Sequence, residues 1–176
     1  SLRDAARVRA VTKIIKSRIQ QKPVIIASAH HGVTEKLIGL IHSPFGDAHL
    51  KTTRFSSVRD FHFKIIKDLG LTRRVISDLL DEINQFIGTV KGQPTLKQLD
   101  RVVSYGERLS VRILAAYFSR HGIHAKVFDA FDIGMTTDSH FGQAQPLPES
   151  YRLIAKNIKP VIRKGAVPVI SGFIAR

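Results

Sequence analysis

The chain has no cysteine. Disulfides and thiolate metal ligands are therefore excluded, and the composition fits a cytoplasmic protein. No apolar run approaches the roughly 18 residues that a membrane-spanning helix needs. The N-terminus has a basic amphipathic pattern but neither an apolar core segment nor a small-residue cleavage site, so no signal peptide is expected. Acidic residues are scarce: 14 Asp and Glu stand against 28 Lys and Arg, giving a formal net charge of +14. So basic a balance raises nucleic acid or another polyanion as a partner. The arrangement argues otherwise. Arg3, Arg7, Lys13, Arg54, Lys64 and Arg73 are spread over the polar faces of several helices, with no basic tail and no aromatic-plus-basic motif. Neither a specific nucleic acid nor a membrane is expected as a partner. Also absent are the Gly-x-x-x-x-Gly-Lys-Ser/Thr loop, a Gly-x-Gly-x-x-Gly run after a strand, and a nucleophile elbow. The eight histidines lack metal-ligand spacing: His30 and His31 are neighbours, and His121 and His124 straddle Gly122, so no metal site is expected.

What is present suffices for one domain with a proper core, since the chain has 176 residues. Val8, Val11, Ile15 and Ile19 fall on one helical stripe and predict a helix over 2–20. The apolar run 24–28 predicts a strand buried on both faces. A glycine turn at Gly32 leads into a helix over 34–41, and 42–53, with Pro44 and Gly46, reads as a loop. Helices follow over 56–69 and 73–89, then a short one over 96–103. A turn at Ser104–Gly106 is expected to open a further helix over 107–120, whose Leu109, Ile113, Leu114, Tyr117 and Phe118 share a face. Strands over 125–128 and 167–170 flank a polar loop over 131–144 and a helix over 149–164 that Pro160 should kink. Strands alternating with helices imply an α/β fold, a mostly parallel sheet sandwiched by helices, with right-handed crossovers. The domain is expected to span 1–176, with a helical segment at about 54–103.

Two segments combine a glycine, a hydroxyl residue and a polar side chain: Ser28–Thr34 and Ser104–Ser110. Both are read as turns opening a helix, where unpaired amides attract anions. Thr34 either caps its helix or faces a ligand. Glu107, placed in a first turn, either complements the helix dipole or offers a carboxylate to a ligand ammonium. Ligands of open α/β sheets bind beyond the carboxyl ends of strands. Ser28 and Thr34, Asp129 and Phe131, and Ser171 and Gly172 bracket three such ends.

Taken in order, these motifs resemble aspartate kinase, of the amino acid kinase superfamily. Val24 to Thr34 is similar to that family's strand ending in Ser-Ala, followed by a glycine turn and Val-Thr. Ser104 to Ser110 resembles its Ser-x-Gly-Glu-x-x-Ser motif. Thr136-Thr137-Asp138 with Phe141-Gly142-Gln143-Ala144 resembles its Thr-Asp…Phe-Gly-x-Ala loop, and Gly165 to Ile174 its Gly-x-x-Pro-Val-x-x-Gly-Phe-Ile strand. The resemblance implies the amino-acid-binding half of an enzyme that transfers phosphoryl from ATP, with Mg, to the β-carboxylate of L-aspartate, in a homo-oligomer. It implies that Glu107 and Thr34 hold the aspartate and that Phe141 and Gly142 line its pocket. Ser28 and Gly32 would face the nucleotide. Ser1 would be the last residue of the opening Lys-Phe-Gly-Gly-Thr-Ser motif, also on the substrate. The phosphate-binding lysine is expected upstream of Ser1, and the Gly-Arg-Gly-Gly-Ser-Asp segment and nucleotide half downstream, so this stretch alone is expected to be inactive. His30, His31, Glu35 and Ala175 depart from the family pattern. The alternatives are another amino acid kinase, such as an acetylglutamate or uridylate kinase, or a non-catalytic subunit or polyanion-binding module.

Overall fold

The computed structural model describes residues 2–44 and 46–172, so Ser1, the Phe173 and Ile174 end of the last motif, and Ala175 lie outside the described residues. Among the described residues, three parallel strands form one sheet: β1 (Ile25–Ala27), β2 (Ala125–Phe128) and β3 (Val167–Ser171), in the order β1-β3-β2. Six α-helices accompany it: α1 (Ala5–Ser17), α2 (Val33–Ile41), α3 (Ala48–Asp68), α4 (Ser77–Thr89), α5 (Leu96–Arg120) and α6 (Glu149–Arg163). None is long and apolar enough to cross a membrane.

The central strand β3 is buried along its whole length, and its alternating side chains serve two cores. Val167 and Val169 join Leu109, Ile113, Leu114 and Phe118 of α5 in the main core, which extends to α1–α4. Ile170 faces the other way and packs with Ala130, Ile133 and Ile158 of α6. The continuous apolar run therefore reads correctly for β3. It misreads β1, which among the described residues is an edge strand paired with β3 and whose Ile26 is 70% exposed. An apolar run carries no information on whether a neighbour covers its second face.

Four further expectations need correction. The segment 42–53 is not all loop, because α3 begins at Ala48 behind Asp47, whose carboxylate accepts from the Leu50 amide. The helix over 73–89 is a 3-10 turn, Arg73–Val75, followed by α4. The helix over 2–20 ends at Ser17 and gives way to a 3-10 turn, Ile19–Gln21. The largest difference is at 104–106, where no turn interrupts the chain. α5 runs unbroken from Leu96 to Arg120, started by a reciprocal cap between Thr95 and Gln98. Ser104 sits inside it and its hydroxyl donates to the Arg101 carbonyl one turn back.

Candidate functional site

Strand register aligns three carboxyl ends: Ala27 lies opposite Ser171, and Phe128 opposite Ile170. Hydrogen bonds tie these ends together. The Gly172 amide donates to the Ala27 carbonyl at 3.1 Å. The Ala130 amide, just past β2, donates to the buried Ser171 hydroxyl at 3.0 Å. Ser28, Asp129 and Gly172 thus share one edge of the sheet, where the strand-end argument expects a ligand.

Glu107 reaches this edge from below. Its Oε1 lies 3.6 Å from the position a Cβ on Gly172 would take, beside the Ala27 carbonyl. The residue is 8% exposed and stands in the middle of α5, not in a first turn. The dipole reading of Glu107 therefore falls, because that interaction fades beyond the terminal turn. Gly106 lets the helix come this close. A Cβ there would sit 2.9 Å from Ala29 Cβ and 3.3 Å from Leu37 and Val33 side chains. Glycine costs a helix interior about 1 kcal/mol, and here it allows α5 to press against the β1–α2 connection.

That connection, Ser28–Gly32, turns through Gly32 at φ 78°, and α2 starts at Val33. Gly32 itself is the N-terminal flanking residue, so Thr34 is not the cap; it stands half-buried in the first turn. The space beside Gly32 is open, with nothing within 4 Å of where a Cβ would be. Backbone amides at this helix start can receive phosphate oxygens. The nearest following cation, Lys36, is turned away and donates to Ser57 of α3 at 2.7 Å. The loop thus presents backbone amides and no Lys36 charge at this helix start.

The structure brings Glu107, the Ala27–Ser28 end and Gly172 together. It holds Phe141 and Gly142 elsewhere along α5: the Gly142 amide donates to Asp100 at 2.8 Å, and Lys97 lies 5.6 Å from the Phe141 ring centre. Asp100 precedes Glu107 by seven residues, about 10 Å of helix.

Sequence reasoning missed two clusters. The first is ionic. Arg108 grips both oxygens of Glu82 on α4, at 3.1 and 2.9 Å, and donates through Nε to Asp129 at 2.9 Å. Arg112 grips both oxygens of Asp129 at 2.9 Å. Burial pushes the Asp129 carboxyl up, but the Arg112 hydrogen bonds and the two guanidinium charges outweigh it and hold it below its ordinary range. Glu82 is lowered in the same way by Arg108 and Tyr105 against burial. The available signal was the i, i+4 spacing of Arg108 and Arg112 together with an acid directly after a strand.

The second cluster is His30 and His62. His30, in the Ser28–Gly32 connection, is 1% exposed, and neither ring nitrogen has a hydrogen-bond partner among the described residues. Its ring meets His62 of α3 edge-on at 5.5 Å. Burial, then the neighbouring His62, lowers His30 to about 3, and burial lowers His62 to about 4 against its bond to the Val58 carbonyl. Both rings are neutral at pH 7.

Over residues 1–176 the sequence matches the amino acid kinase family. It is 31% identical to the chloroplastic aspartokinase 3 of Arabidopsis thaliana over 100% of this chain and 33% of that protein. It is 27% identical to aspartokinase 3 of Bacillus subtilis over 86% of this chain and 34% of that protein. The crystal structure of E. coli aspartokinase III in complex with aspartate and ADP shares the fold, with a TM-score of 0.85 at 23% identity, covering 99% of this chain and 39% of that one. The chain spans about a third of the length of these curated relatives. With a parallel β1-β3-β2 sheet, a glycine turn after β1 and a match along all 176 residues, the chain belongs to the amino acid kinase family.

Proposed function

We propose that this chain forms the amino-acid-binding half of an aspartokinase, an ATP-dependent kinase that phosphorylates the β-carboxylate of L-aspartate to aspartyl phosphate. The observation that carries the reading is the Glu107 carboxylate, held in a mostly dry position beside the ends of β1 and β3. There it can receive the substrate ammonium in a charge-assisted hydrogen bond. Thr34 and Ser1 are assigned to the same substrate, Phe141 and Gly142 to the wall of its pocket, and Ser28 and Gly32 to the phosphate end of the nucleotide. ATP with Mg supplies, when bound, the phosphoryl group and the neutralisation of its charge. A homo-oligomer working in the cytoplasm completes the reading. The 176 residues by themselves should release no ADP in an aspartate-dependent assay, because they span about a third of the relatives' length.

The test uses the complete protein carrying Glu107→Gln, which keeps the shape and removes the charge. A hydrogen bond to a charged group contributes about 1.5–3 kcal/mol, so kcat/KM for aspartate should fall roughly 10- to 100-fold. The melting temperature should barely move. A panel of acetylglutamate, uridine monophosphate and aspartate identifies the substrate class. If Glu107→Gln leaves kcat/KM unchanged and only lowers the melting temperature, Glu107 belongs to the core and the reading of this site fails.

A further inference from the structure

The C-terminal end of α3 carries a concave surface, far from Glu107. Arg120, at the last turn of α5, donates to the Gly70 carbonyl beside it. Thirteen residues of helix, about 20 Å, separate Arg120 from Glu107. A cavity of about 620 Å³ opens here, with Phe63, Ile66 and Leu71 as its apolar part and Asp60, Lys64, Lys67 and Arg73 around it. Ile66 is buried, and Phe63 and Leu71 are half-buried.

Cations at the end of a helix usually serve its unpaired carbonyls. Here other elements do that work. Arg9 of α1 donates to the Asp68 carbonyl, as Arg120 does to that of Gly70. The carboxylates are occupied too: Asp60 is paired with Arg59 at 2.8 Å and Asp68 with Lys64 at 2.6 Å. Lys67 and Arg73 are exposed; Lys67 helps Lys64 hold the Asp68 carboxyl below its ordinary range without itself making a close contact to it, and Arg73 lies over the Phe63 ring. They stand beside an apolar floor. We propose that this groove is a docking surface for an acidic peptide segment of a partner protein, with an aliphatic side chain seated against the half-buried Leu71 and carboxylates on Lys67 and Arg73. Charge complementarity would set approach and register, and the buried aliphatic anchor would supply most of the affinity. A nucleic acid fits less well. Single strands bind by stacking bases on open aromatic rings, and the Arg73 guanidinium already lies 4.7 Å from the centre of the Phe63 ring.

The proposal is independent of the kinase reading and is tested on the 176-residue chain by fluorescence anisotropy. Three labelled probes are compared at physiological salt: a short glutamate-rich peptide with two leucines, the same peptide with serines in their place, and an oligothymidylate. The leucine peptide should bind about tenfold tighter than either of the others. Lys67→Glu with Arg73→Glu should weaken it about tenfold, and the milder Lys67→Gln with Arg73→Gln should weaken it in the same direction. Reversing two exposed lysines of α6, Lys156 and Lys159, should change it far less. Equal binding of the serine peptide or the oligothymidylate would mean a diffuse basic face and overturn the proposal. So would an equal loss from the α6 pair, or no binding of the leucine peptide.

Discussion

Asp129→Ala should destabilise the protein by about 3–5 kcal/mol, the usual result of leaving buried charges without their partner. The effect follows from geometry. Asp129 has a side chain only 3% exposed and is held by two guanidinium groups that are themselves 13% and 27% exposed. Removing it strands Arg108 and Arg112 against each other, with Glu82 able to answer only one of them. A contrasting pair makes the point. Lys64 and Asp68 approach more closely, at 2.6 Å, yet both are exposed, and water already serves them. Asp68→Ala should therefore be hard to distinguish from wild type. Urea unfolding of both variants, read by circular dichroism, gives the comparison. A loss at Asp129 no larger than that at Asp68 would show that the cluster behaves as a surface network despite its burial.

Acid should weaken the fold well before the carboxylates titrate. In the unfolded chain His30 and His62 take up protons near 6.5; in the fold they resist until about 3 and about 4. Below pH 6.5 the unfolded state therefore binds more protons, and stability falls as pH falls. It is fully present above that value and is lost progressively through the window down to the folded values. Each histidine can remove up to about 1.4 kcal/mol per pH unit there, so the pair steepens the slope between pH 6 and about 4.5. Asp129 and Glu82, whose folded values are lowered, contribute a separate loss only at lower pH. Stability measured by urea unfolding across this range should be flatter for His62→Phe, which keeps a ring against His30 and removes one proton site. A parallel profile for His62→Phe and wild type would place the acid sensitivity elsewhere. Because His30 lies in the connection after β1, the same protonation would disturb the loop that carries Ser28 and Gly32.

Much of this fold could be read from the chain. The stripes of α4 and the second half of α5 were legible because Ile76, Leu79, Leu80, Ile83, Leu109, Ile113 and Phe118 repeat at helical spacing, and all are buried. The strand ends were legible because Ser28 and Ser171 each follow an apolar run and Asp129 follows the short stretch 125–128, apolar but for Lys126. What failed was local chemistry set against packing. Ser104 and Gly106 look like a turn when only their own propensities count, but Gly106 is there to make room for Ala29, a contact 77 residues away in sequence. The burial of His30 against His62 and the Glu82–Arg108–Asp129 cluster join residues from separate elements, and no periodicity links them. Likewise nothing in the run 24–28 distinguishes an edge strand from a central one.

The unbroken course of α5 has a consequence for how the segment Ser104–Ser110 can vary. The anchor of the Phe141–Gly142 loop at Asp100 and the carboxylate of Glu107 are fixed to one rod. Each residue of an α-helix turns the chain by about 100°. A single residue inserted or deleted between positions 100 and 104 would swing Glu107 by more than a quarter turn relative to Asp100, while leaving every residue from Ser104 to Ser110 in place. Point changes on the outer face of this stretch leave the angular phase intact. The helix therefore acts as a dial as well as a spacer, and its length between these two positions is constrained more tightly than its composition.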